Sequence, residues 1–158
     1  MYIEENIKFL RGLNHLSQRT FDRIIFPFYS ADTYVTYKLE NNKYQNPLPF
    51  VITIVNHFHI SLDKFMYTVI TENDINAVYA VRNSDYFYSN FNNIRKSQNI
   101  PLKLIAQKSD IPLNTIINYS RKNNYRIIKL ENLCTISYVL GCSLDDLLSN
   151  PADDIIPN

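Results

Sequence analysis

The chain has 158 residues, 20% of them charged, and a net charge of +1; that length suits one ordinary domain or two small ones with modest cores. The balanced charge excludes a polybasic protein, and no apolar run approaches the roughly 20 residues that a membrane helix needs. Two glycines, Gly12 and Gly141, are too few for a phosphate-cradling loop or a series of hairpins, which favours helices.

The start, Met1-Tyr2-Ile3-Glu4-Glu5, is acidic and leads into no long apolar stretch. The expected compartment is therefore a reducing cytoplasm, with Cys134 and Cys142 as small buried thiols. Residues 4–13 place Ile7, Leu10 and Leu13 on one helical face, with acids at the end where the macrodipole favours them. Ser17 is a good N-cap for a second helix whose stripe is Phe21, Ile24 and Ile25, and Pro27 ends it. A third helix is expected from a Ser30 cap through Leu39. After a polar loop at 41–46, Pro47 and Pro49 bracket Phe50-Val51-Ile52-Thr53-Ile54-Val55, whose β-branched content suits a helix or a strand. Ser61-Leu62-Asp63-Lys64-Phe65 follows.

Residues 71–90 read as a connecting segment. Ile75, Val78 and Tyr79 suggest a short helix, and residues 77–81 would also pass as a strand. Ser84-Asp85 can cap a helix with Phe87, Phe91 and Ile94 on its core face. Tyr86 and Tyr88 fall off that stripe. Pro101 suits the start of the next helix, Leu102 to Lys108. A tight Ser109-Asp110 turn joins it to Ile111-Pro112-Leu113-Asn114-Thr115-Ile116-Ile117-Asn118-Tyr119. This is a helix-turn-helix pattern, with Leu104, Ile105, Ile111, Ile116 and Ile117 as its core. A basic loop, an apolar helix from Ile128 to Leu140, a Gly141 C-cap and Ser143-Leu144-Asp145-Asp146-Leu147-Leu148 complete the unit. Residues 151–158 form an acidic tail.

This order, closing on Leu140-Gly141-Cys142-Ser143-Leu144-Asp145-Asp146-Leu147-Leu148, resembles the five-helix DNA-binding domain of the Xre family, which contains the Cro and lambda-type repressors. His15-Leu16-Ser17-Gln18 looks like the family's entry to its second helix. Ser61–Phe65 lines up with Ser143–Leu147, and the stretch ending at Tyr37 with the stretch ending at Tyr119, both at a spacing of 82. The expectation is an all-α chain of two tandem lambda-repressor-like units of about five helices each, at 1–70 and 91–150, the first degenerate.

The resemblance implies a sequence-specific transcriptional regulator that lays the helix around Asn114 in the major groove of double-stranded DNA. Leu113, Asn114, Thr115 and Asn118 project from the face opposite Ile116 and Ile117. Asn pairs bidentately with adenine and Thr contacts a thymine methyl; Asn114 could equally be a helix cap. Lys103, Arg121, Lys122 and Arg126 would grip phosphates. Consistent with that role, residues 92–132 hold Arg95, Lys96, Lys103, Lys108, Arg121, Lys122, Arg126 and Lys129 against Asp110 and Glu131, a net +6; a solvated helical face would look the same. Leu102 stands where the family commonly has a DNA-touching glutamine. The first unit keeps Gln18 there and offers Thr33, Thr36 and Lys38 as a second DNA site, but puts Asp32 near the start of its recognition helix.

A homodimer formed through the first unit would match a palindromic operator. The alternative is a protein-interaction module on a helix-turn-helix scaffold, like mobile-element antirepressors or inhibitors of bacterial defence systems. Tyr29, Tyr34, Tyr37, Tyr44, Tyr86 and Tyr88 would suit an interface. An enzyme is not expected: no nucleophile, base and orienting acid assemble, and no cofactor motif is present. His57, His59 and Asp63 lack the spacing of a zinc site, so no metal is expected.

Overall fold

The computed structural model describes residues 1–30, 33–77, 80–121 and 127–150. Among these the chain is all-α: ten helices and short 3₁₀ turns, with no strand and one isolated β-bridge, between Arg82 and Ser149. Backbone contacts divide it into two compact units, Met1–Tyr79 and Ala80–Asn158.

In the first unit α1 (Ile3–Leu13) buries Ile7 and Leu10, while Leu13 lies at the exposed edge of the expected stripe. The helix stops where His15 turns left-handed (φ 52°) and the Leu16 amide donates back to the Arg11 carbonyl at 2.8 Å, which satisfies a carbonyl the helix leaves open. Ser17 caps α2 (Gln18–Ile25), its hydroxyl accepting from the Thr20 amide at 3.1 Å. Phe21 and Ile25 are buried, but Ile24 points outward. The third helix does not start at Ser30, whose hydroxyl shares a hydrogen bond with Thr33. Instead α3 (Val35–Glu40) begins after a left-handed Tyr34. Its cap comes from α2: the Asp22 carboxylate accepts from the Thr36 amide at 2.8 Å. A carboxylate at a helix N-terminus satisfies an open amide and opposes the dipole, so this tertiary contact displaced the local cap.

Residues 50–55 are helical, within α4 (Leu48–Phe58). Leu48, Val51, Ile52 and Val55 repeat at helical spacing and are buried, and burial on that face outweighs the β preference of the branched residues. A left-handed His59 ends the helix, and Ser61 caps α5 (Leu62–Tyr67). Part of the segment read as a connector is ordered against α5; residues 78 and 79, where a short helix or strand was expected, lie outside the described residues. Thr71 and Asp74 form a capping box on the 3₁₀ turn Glu72–Asp74, and Lys64 of α5 pairs with Asp74.

In the second unit Arg82 is buried and its Nε lies 2.6 Å from the Asp145 carboxylate, while the Asn83 amide donates to the Leu148 carbonyl at 2.9 Å. The helices are α6 (Phe87–Ser97), α7 (Leu102–Ser109), α8 (Leu113–Tyr119), α9 (Leu130–Leu140) and α10 (Leu144–Leu148). Phe87, Phe91, Ile105, Ile116, Leu133, Ile136, Leu144 and Leu147 make the core; Ile94, Leu104 and Ile117, expected there, are half-buried. Gly141 takes the left-handed C-cap at φ 62°, and Ser143 with Asp146 forms a capping box on α10. Cys134 and Cys142 are half-buried, less enclosed than expected.

Among the described residues each unit thus runs through five α-helices, 11, 8, 6, 11 and 6 residues long in the first and 11, 8, 7, 11 and 5 in the second. The units differ in two respects. The link between the second and third helices is residues 110–112 in the second unit but 26–34 in the first. The aligned tyrosines also part company: Tyr119 is 8% exposed and Tyr37 is 42% exposed.

Candidate nucleic-acid interface

The site is built on α7, the turn after it and α8. Ile105 and Ser109 hold α7 to the core, and Asp110 reverses the chain in a left-handed conformation (φ 56°). Ile111 is buried, its amide donating to the Ser109 hydroxyl at 3.3 Å, and Pro112 occupies the N-cap of α8. Pro suits that place because it lacks the amide hydrogen a helix start leaves unsatisfied. Along α8, Ile116 and Tyr119 face the core.

Three contacts pin the far end of α8. The Tyr119 ring meets Phe87 edge-on at 5.6 Å, and its hydroxyl accepts from the Asn132 amide at 2.8 Å. The buried Asn92 donates from its side-chain amide to the Ser120 carbonyl at 3.1 Å. A helix held at both ends presents its outer side chains in fixed directions, the condition for reading a base edge.

Leu113, Asn114 and Asn118 are exposed on the outer face and Thr115 is half-buried beside them. Asn114 is not a cap, since Pro112 is the N-cap and no side chain caps the helix. Lys103 lies exposed in the first turn of α7, and Arg121 is exposed just past α8. Among the described residues, none of the side chains of Lys103, Asn114, Thr115, Asn118 and Arg121 engages in a hydrogen bond or ion pair. No acid occurs between Asp110 and Glu131. Lys122 and Arg126 lie outside the described residues.

The first unit arranges its candidates differently. The Gln18 amide donates to the Glu40 carboxylate, which Arg11 also holds through Nε at 2.7 Å and a terminal nitrogen at 3.2 Å. Thr36 is fully buried, bonded through its hydroxyl to Asp22, so it cannot reach a duplex and its expected role is withdrawn. Thr33 bonds to Ser30, and the Lys38 ammonium lies 5.8 Å from the centre of the Tyr44 ring. Asp32 lies outside the described residues. Gln18, Thr33 and Thr36 are thus bonded inside the unit, while the Lys38 ammonium makes no hydrogen bond or ion pair among the described residues. What the unit exposes besides is apolar: Phe28 at 98%, with Ile24, Tyr29, Tyr34 and Tyr37 along the same stretch. Sequence reasoning missed Phe28, although its place in a turn after Pro27 left it without a helical face to join.

Among the described residues no three His, Cys, Asp or Glu side chains gather as metal ligands, and no helix is long and apolar enough to cross a membrane. The His57 ring lies edge-on to Phe58 at 4.9 Å, and burial, then the charge of His59, pulls its pKa below the usual value. Comparison with family models, curated proteins and solved structures returns no match.

Proposed function

We propose that this chain is a cytoplasmic, sequence-specific DNA-binding transcriptional regulator of Xre type, acting as a repressor with α8 in the major groove. The observation that carries the reading is the unspent outer face of α8. Among the described residues the side chains of Asn114, Thr115 and Asn118 make no hydrogen bond there, and Lys103 and Arg121, which form no ion pair, flank them. Asn114 and Thr115 near the helix start read bases, with Leu113 and Asn118 beside them. Lys103, Arg121, Lys122 and Arg126 hold the backbone.

The matched helix lengths of the two units support a tandem origin. The closed polar face and exposed aromatics of the first unit support a division of labour, in which that unit pairs two copies of the chain. The same aromatics favour the second reading, a protein-interaction module, because exposed rings of this kind mark partner surfaces.

Gel shifts against fragmented genomic DNA at two salt concentrations separate the readings. A regulator binds a subset of fragments tightly and less so at high salt, and a protein-interaction module shifts none. Asn114→Ala should weaken the preferred site by about 1–3 kcal/mol and spare other DNA, whereas Arg121→Ala should weaken both alike. Identical behaviour of the two variants would refute the assignment of reader and clamp.

A further inference from the structure

Arg11 and Arg95 hold the same place in their units. Each lies in the last turn of the first helix. Each carbonyl accepts at 2.8 Å from the amide five residues on, Leu16 or Ile100, past a left-handed residue, His15 or Asn99. The backbone delivers both guanidinium groups alike, but their surroundings differ.

In the first unit every nitrogen of Arg11 is used: two bond to the buried Glu40 carboxylate and the third to the Leu16 carbonyl at 2.9 Å. In the second unit residues 111–130 contain no carboxylate at all. The half-buried Arg95 makes one hydrogen bond, from Nε to the Asn92 side-chain oxygen at 3.0 Å, and its terminal nitrogens have no partner among the described residues. Asn92 in turn bonds to the carbonyl of Ser120, the residue before Arg121, so Arg95 is tied to the end of α8. The terminal nitrogens of Arg95 are open to solvent rather than enclosed, so an anion can reach them. A phosphate offers a guanidinium the same pair of oxygens as a carboxylate.

We infer that Arg95 is a nucleic-acid phosphate contact, and that a backbone phosphate beside Arg121 takes the seat which the Glu40 carboxylate fills in the first unit. The inference rests on the DNA-binding reading above and adds a residue to it from a different helix. It also accounts for the first unit having no phosphate seat at that place, since its own carboxylate occupies it.

The test uses the full chain and a fluorescein-labelled 30-base-pair duplex of random sequence, followed by anisotropy from low to moderate salt. Arg95→Gln removes the charge and keeps a donor for Asn92; Arg95→Lys keeps the charge; Arg121→Ala is the reference. Arg95→Gln is expected to bind roughly tenfold more weakly at low salt and to lower the log–log salt slope by about 0.9. Arg95→Lys should keep the slope, and the melting temperature of Arg95→Gln should stay within about 2 °C. If Arg121→Ala lowers the slope and Arg95→Gln does not, Arg95 is no phosphate contact and the DNA-binding reading stands. If Arg95→Gln melts well below the wild type while its slope is unchanged, the residue is structural and the inference is overturned. If the wild-type chain does not bind duplex at any salt, the DNA-binding reading fails and takes the Arg95 contact with it.

Discussion

Asn6 offers the sharpest test of how the first unit is held together. Its side chain is fully buried on α1. The amide donates to the Phe65 and Thr68 carbonyls, each at 2.8 Å, and the oxygen accepts from the Ile70 amide at 2.9 Å. One side chain therefore closes the end of α5 and fastens the chain beyond it to α1. Asn6→Ala leaves two carbonyls and one amide without that partner, each costing about 1–3 kcal/mol when water cannot replace it. The Thr68 carbonyl is only partly buried, so water recovers some of its share and the total comes to about 3–4 kcal/mol. Asn90 sits at the matching place on α6 but makes a single bond, to the Ser149 carbonyl at 2.8 Å, so Asn90→Ala should cost about 1–1.5 kcal/mol.

Hydrogen exchange read by mass spectrometry measures each unit separately. Protection of the core amides of α1 and α5 should fall by roughly two to three powers of ten in Asn6→Ala. In Asn90→Ala, protection of α6 and α10 should fall by roughly one power of ten. A loss under about tenfold in Asn6→Ala, or equal losses in the two variants, would refute the claim that hydrogen-bond count at this position sets the cost.

Three further outcomes are expected. The Lys64 ammonium, then the Thr71 amide, hold the Asp74 carboxyl below its ordinary value of 3.8, against the effect of burial. A depressed folded-state pKa gives stability that is complete above the ordinary value and lost as pH falls through the folded one, so exchange protection around residues 71–77 should decline on acidification below about pH 4, and less so in Asp74→Asn. Gly141→Ala should cost about 1 kcal/mol in thermal unfolding, because the left-handed backbone (φ 62°) strains a side chain although no atom lies within 4 Å; a neutral result would mean that the C-cap relaxes. Sedimentation should find a dimer that Phe28→Ser turns into a folded monomer, since that ring touches almost nothing in its own chain; a monomeric wild type at tens of micromolar would rule out pairing through the first unit.

Several elements were legible before any coordinates. Ser17 and Ser143 mark helix starts that the structure reproduces, and Gly141 marks a helix end. Residues 50–55 were ambiguous because a β-branched run satisfies both periods over so short a window. Ser30 misled because it is a sound local cap in sequence, while the group that starts α3 is Asp22, fourteen residues before Thr36. The outer face of α8 reads in the sequence as lying opposite Ile116 and Ile117; in the structure Ile116 and Tyr119 are the buried pair and Ile117 is half-buried. The closure of the first unit's face was not, because Gln18 and Glu40 meet only after three helices have packed.

The sequence alone determined that the chain is helical, where most helices begin and end, and that basic residues gather between 92 and 132. Those features come from caps, periodicity and composition, which act within a turn or two of chain. Only the tertiary structure decided that Arg11 pairs with Glu40 while Arg95 meets no carboxylate among the described residues, that Arg82 is buried against Asp145, and that Tyr119 packs where Tyr37 does not. Such outcomes depend on which distant groups meet in a desolvated place, and a polar residue's partner leaves no periodic trace in the residues around it.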